Sequence, residues 1–159
     1  MSATVTVPAR RLRAAMGHFA TGVTVVTAAG SDGRRHGSTA NAVASVSLEP
    51  PLLLVCLRDE SLTLAALQDS GRFAVNVLHQ RQRELAQRFA RRGATWEDVA
   101  HRDGLLDGAL ATLECELHDV ADGGDHRIVV GRVLTVEHPD EPSAPLLFYR
   151  GAYTALEDR

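Results

Sequence analysis

The chain has 159 residues, 45% hydrophobic and 23% charged, with a formal net charge of −3. Those proportions fit one globular domain spanning residues 1–159 and exclude a disordered or fibrous protein. All 17 basic residues are arginine, which excludes Schiff-base chemistry, a lysine general base and a P-loop lysine; the lack of a basic excess argues against nucleic acid as a partner.

In chain order, residues 1–7 carry no apolar signal-like core and are expected to be flexible. Over residues 8–20 (PARRLRAAMGHFA), Leu12, Ala15, Met16 and Phe19 share one helical stripe, with Pro8 at a first-turn position. Gly22 to Ala28 is short and β-branched, and the turn residues of AGSDGRR after it predict a hairpin. His36 to Leu48 reads as a strand rich in small and polar residues, ended by Glu49-Pro50-Pro51. Leu52 to Leu57 (LLLVCL) reads as a strand buried on both faces, and it is too short to cross a bilayer. Ser61 is a candidate N-cap for SLTLAALQDS, closed by Gly71.

Phe73 to Leu78 is a further strand, and His79 to Ala90 an amphipathic helix with Leu85, Ala86 and Phe89 inward. Residues 91–107 are polar, hold the single tryptophan and read as a loop. Ala109 to Val120 alternates apolar and polar, the turn Asp122-Gly123-Gly124-Asp125 follows, and His126 to Val136 returns as a strand. Leu146 to Leu156 adds one or two short strands. Six to eight strands, two or three helices and no regular strand–helix alternation predict a mainly β protein, an antiparallel barrel with flanking helices. Cys56 and Cys115 sit in apolar runs without a CxxC pattern and read as small buried hydrophobes of a reducing compartment, so the cytoplasm is expected.

Known catalytic motifs are missing. There is no GxGxxG, no GxxxxGK[ST] and no GxSxG, and the seven histidines form no HxH or HxxxH pair, so no metal is expected. What remains is a polar stretch, Thr39-Ala40-Asn41 and then Ser45-Val46-Ser47, either solvated edge positions or a wall along which a flat ligand approaches the backbone. Ser61 and Thr63 at a helix start are either an ordinary cap or a seat for an anion.

The segments FATGVTVVTA (19–28), GSTANAVASVSLEPPLLLVCL (37–57), FAVNVL (73–78), LAQRFA (85–90), LDGALATLEC (106–115), GGDHRIVVGRV (123–133) and LLFYRGAY (146–153) occur in this order. Together they resemble the flavin reductase-like family, on the FMN-binding split barrel of Greek-key type, from about residue 10 to 156. The resemblance implies a homodimer that binds FMN or FAD and oxidises NADH, with NADPH possible, supplying reduced flavin to a separate monooxygenase or halogenase. It places the isoalloxazine on Thr39, Ala40, Asn41, Ser45, Val46 and Ser47. It places the ribityl phosphate near Cys56, Leu57, Ser61, Thr63, Phe89 and Ala90. Gly124, Asp125 and His126 resemble the segment that meets nicotinamide, and Tyr153 a late aromatic covering the site.

Hydride transfer between two bound rings needs orientation and charge stabilisation rather than a nucleophile or metal, which hydroxyls, an amide and backbone N–H groups supply. His126 reads either as a residue positioning nicotinamide or as a turn histidine at a strand start. Arg58 and Arg88 stand beside the expected phosphate contacts, either as phosphate partners in place of lysine or as solvated charges. A non-catalytic flavin- or haem-binding protein and a pyridoxine-phosphate-oxidase-like enzyme are the other readings of the same barrel.

Overall fold

The computed structural model describes residues 6–141 and 143–157. The flexible start expected over residues 1–7 therefore lies, for residues 1–5, outside the described residues. The elements are α1 (Ala9–Met16), β1 (Thr21–Gly22), β2 (Thr24–Ala29), β3 (Arg35–Ala40), β4 (Val43–Leu48), β5 (Pro51–Arg58), α2 (Leu62–Ser70), β6 (Arg72–Val77), a 3-10 turn (Gln80–Gln82), α3 (Arg83–Phe89), β7 (His101–Arg102), β8 (Leu105–Leu106), β9 (Ala111–Asp122), β10 (His126–Glu137), β11 (Leu147–Tyr149) and β12 (Ala152–Thr154). The protein is mainly β and its ladders are antiparallel.

Seven strands form one sheet in the order β3-β2-β6-β9-β10-β5-β4. Its two edge strands, β3 and β4, are neighbours in sequence, separated only by Asn41 and Ala42. Three Cα steps reach at most about 11 Å, so the sheet must curl until its edges meet. No ladder joins β3 to β4; the gap is crossed by the Asn41–Ala42 link, whose Ala42 carbonyl accepts the Cys56 N–H at 3.0 Å. The barrel is split along this line. Residues 36–48, expected as one strand, are thus two strands on opposite edges, and that break is what opens a site. Five further strands form two small sheets: β1 with β11 and β12, the latter two being the short strands expected within Leu146 to Leu156, and the two-residue pair β7–β8, too short to stand out in a sequence.

Inside the barrel, Val26, Leu53, Val55, Leu57, Leu64, Leu67, Phe73, Val75, Cys115 and Val129 form one core. Outside it, Val23, Val25, Leu78, Ala86, Phe89, Leu106 and Leu146 form a second, under α3 and residues 91–107. The strands covered on both faces are β2 and β6. Against expectation, β5 buries only Leu53, Val55 and Leu57, because among the described residues no helix covers Leu52 and Leu54 as α3 covers β2, and both stay half-buried. Ser61 caps α2 by accepting from the Leu64 N–H at 3.2 Å, and Gly71 ends it at φ 72°, a left-handed position that favours glycine. The α1 stripe exists but faces outward: Leu12, Met16 and Phe19 are 58%, 56% and 70% exposed.

Residues 91–107, expected as a loop, are irregular up to residue 100 and then form the two-residue antiparallel pair β7–β8, and the stretch is tied down. Asn76 on β6 is fully buried; its Nδ2 donates to the carbonyls of Val25 (3.0 Å) and Gly104 (3.2 Å), and its Oδ1 accepts the Leu106 N–H at 2.8 Å. Thr27 Oγ1 also donates to Gly104 O at 2.8 Å. Trp96 packs on Phe89 with ring centroids 4.9 Å apart, and Arg88 Nη1 donates to Glu97 O at 2.7 Å.

Candidate functional site

At the split, β3, the Asn41–Ala42 link, the end of β5, the start of α2 and the end of α3 enclose a cavity of about 530 Å³, within the range of small-molecule sites. One side is a hydroxyl cluster. Ser38 Oγ lies 2.8 Å from Thr63 Oγ1 and 3.2 Å from Ser61 Oγ, and Thr63 is buried. The first amides of α2, at Leu62 and Thr63, have no intrahelical acceptor, so this corner presents hydroxyls and N–H groups together. The opposite wall is Gly37 against Phe89: a Cβ at residue 37 would lie 2.7 Å from the ring, so only glycine lets the backbone reach the aromatic face.

The mouth is cationic although the whole chain is acidic. His36, Arg58, Arg91, Arg92 and His126 line it, with Glu60 the one carboxylate. His126 opens β10 opposite Arg58. Its Nδ1 is 2.7 Å from Asp125 Oδ1, and that hydrogen bond, with the imidazole's charge, holds the Asp125 carboxyl below its usual range. An ionised carboxylate only accepts, so Nδ1 carries the proton and Nε2 is left free. Tyr153 lies edge-on to Phe148 at 5.5 Å. Partial burial pushes its hydroxyl pKa up against the opposing charge of Arg83.

Of the expected site residues, Thr39, Ala40, Asn41, Cys56, Leu57, Ser61, Thr63, Phe89, Ala90, His126 and Tyr153 line this cavity. Ser45, Val46 and Ser47 do not: they continue along β4, beyond the split. Gly124 and Asp125 also stand outside it, Asp125 reaching it through His126. Thr39 lines the wall with its backbone, since its hydroxyl donates to Ala86 O at 2.6 Å. Cys56 is not the buried hydrophobe expected but faces the cavity half-buried, where burial raises its thiol pKa. Cys115 does lie in the core, its thiol pushed up to about 12 by burial and the neighbouring Glu114. Arg88 is turned to Glu97 rather than to the cavity. Sequence reasoning missed His36, Gly37, Ser38, Glu60, Arg91 and Arg92; only Ser38 carried a usable signal, sharing a strand face with Ala40 at spacing two.

A family model described as "Flavin reductase like domain" matches residues 16–157. The chain belongs to this family. The flavin reductase is 42% identical over 154 residues to "Flavin-dependent monooxygenase, reductase subunit HsaB" of Rhodococcus jostii, covering 93% of this chain and 78% of that protein. It is similar in structure to BorF, the flavin reductase component of a bacterial two-component tryptophan halogenase. Identity there is 39% and the TM-score 0.84, over 96% of this chain and 100% of that one. It is also similar to an NADH:FAD oxidoreductase of Streptomyces globisporus, at 36% identity and TM-score 0.85 over 99% and 100% of the two chains. Among the described residues of the flavin reductase, no helix is long and apolar enough to cross a membrane.

Proposed function

We propose that this flavin reductase transfers a hydride from NADH to FMN or FAD and supplies the reduced flavin to a separate monooxygenase or halogenase. The observation that carries the reading is the cavity at the split, which the hydroxyl corner of Ser38, Ser61 and Thr63, the Gly37–Phe89 wall and Asn41 line together. The residues present fit a flavin. Gly37 lets the β3 backbone pack on the Phe89 ring, Ser38, Ser61, Thr63 and the α2 amides match a phosphate, and Asn41 lines the same cavity. When bound, the flavin supplies N5 as the acceptor for the hydride leaving nicotinamide C4. The chain's own residues bind and orient: Phe89 and the β3 backbone hold the ring plane, and backbone N–H groups at the rim stabilise negative charge at its polar edge. His126, its tautomer set by Asp125, offers Nε2 to the second ring, and Tyr153 with Phe148 limits water from the far side.

The test mixes purified protein, NADH and FMN or FAD and follows the nicotinamide absorbance. Flavin-dependent oxidation is expected; none with either flavin and either NADH or NADPH overturns the reading. His126→Ala should raise KM for NADH severalfold with flavin affinity nearly intact. The outward apolar residues Leu12, Met16 and Phe19 of the α1 region and Val46 and Leu48 of β4 support a homodimer of one-domain protomers, and light scattering should read twice the 17.1 kDa chain mass.

A further inference from the structure

The cavity has two places for negative charge, and a mononucleotide fills only one. The inner place is the hydroxyl and amide corner of Ser38, Ser61, Thr63 and the α2 start, which carries no formal charge. The outer place is the mouth, where three arginines meet one carboxylate. Arg92 Nε donates to the Glu60 carbonyl at 3.3 Å, and Arg58 Nη1 lies 3.8 Å from Glu60 Oε1. The Arg91 side chain makes no hydrogen bond or ion pair with another described residue. Glu60 thus gathers two arginines at the mouth, and its one carboxylate leaves the positive charge of Arg58, Arg91 and Arg92 in excess, which a further anion offsets.

The segment that brings Arg91 and Arg92 is held rather than loose. It leaves α3 directly after Phe89 and is fixed by Trp96 against that ring and by the Arg88 bond to Glu97 O. In a flavin adenine dinucleotide the second phosphate is joined to the first through one oxygen, so with the first in the inner corner the second sits next to it, toward the mouth. Arginine's planar fork suits phosphate oxygens.

Resting on the flavin-reductase reading, we infer that Arg91 and Arg92, with Arg58 across the mouth, recognise the second phosphate of FAD, making the protein selective for the dinucleotide over FMN. Equilibrium titration of flavin fluorescence with riboflavin, FMN and FAD tests this on the whole chain. The unaltered protein should bind FAD at least about tenfold tighter than FMN, and FMN tighter than riboflavin. Arg91→Gln/Arg92→Gln should lose about tenfold in FAD affinity, a change of ~1.4 kcal/mol, with FMN affinity within twofold. Arg91→Gln alone, which removes no hydrogen bond or ion pair among the described residues, should show part of the same selective loss at an unchanged melting temperature. Equal affinities of the unaltered protein for FMN and FAD, or equal losses of both in the variants, overturn the inference while leaving the flavin reading standing. A raised KM for NADH with FAD affinity unchanged also overturns it, because the arginines then serve the other dinucleotide. Failure of all three flavins to bind the unaltered protein overturns the flavin reading itself.

Discussion

Asn76→Ala lowers the stability of this protein by about 3–4 kcal/mol, the cost of leaving several buried backbone groups without partners. The side chain has no exposed surface and makes three hydrogen bonds, two donated to the Val25 and Gly104 carbonyls and one accepted from Leu106 N–H. The alanine leaves Leu106 N–H and Val25 O without this partner, while Gly104 O keeps only Thr27. For a chain of this length such a loss corresponds to a melting temperature lower by about 10 °C, read by circular dichroism. The damage should reach the site as well. Asn76 and Thr27 pin residues 104–106 to the barrel, and the same irregular segment carries Arg91 to Ala94 along the cavity. Trypsin should therefore cleave the variant within residues 91–102 several times faster than the unaltered protein. A stability loss under about 1 kcal/mol would mean that water replaces the asparagine and that the polar contact is incidental.

Gly37→Ala should weaken flavin binding by about tenfold or more and cost roughly 1–3 kcal/mol through overpacking. The new Cβ would meet Phe89 Cδ1 and Cε1 at 2.7 and 2.8 Å, closer than carbon atoms approach without something shifting. Retreat is blocked from behind by Trp96, over whose ring Arg35 lies with its guanidinium carbon 5.9 Å from the centroid. The ring is left to tilt into the cavity. Phe89→Leu in the same chain removes the obstructing edge and should restore part of the affinity, a coupling that a double-mutant cycle measures. If the two substitutions are merely additive in flavin affinity, the contact between residues 37 and 89 does not set the shape of the wall.

Local chemistry with one dominant cause was legible before any coordinates. The cap at Ser61, the left-handed stop at Gly71, the turn at Gly123-Gly124 and the inward face Leu85, Ala86 and Phe89 each follow from a single residue type at a single spacing. The split was not legible, because Asn41-Ala42 contains neither glycine nor proline and its polarity blends with the strand before it. Once that break is missed, Ser45 to Ser47 are grouped with Thr39 to Asn41, although they lie on the other edge strand and do not line this cavity. Cys56 shows the same limit: in LLLVCL every side chain is apolar, and only the packing decides which alternate residues meet the core and which a cavity. Arg91 and Arg92 were illegible for the opposite reason, since a polar loop beside an arginine-bearing helix looks the same whether its charges face bulk water or a mouth.

The unclosed seam along β3 has a consequence for how the protein tolerates sequence change. In a continuous barrel each strand gives its main-chain groups to two neighbours, whereas β3 gives them only to β2, leaving one row of N–H and C=O groups along the cavity. A flat heterocycle whose rim alternates acceptors with an N–H can be read by that row much as another strand would be. Recognition of this kind resides in the peptide bonds themselves. Along β3, positions other than Gly37 and Ser38 can then drift while the fold continues to grip the same ring, and discrimination between ligands passes to the few positions around the mouth.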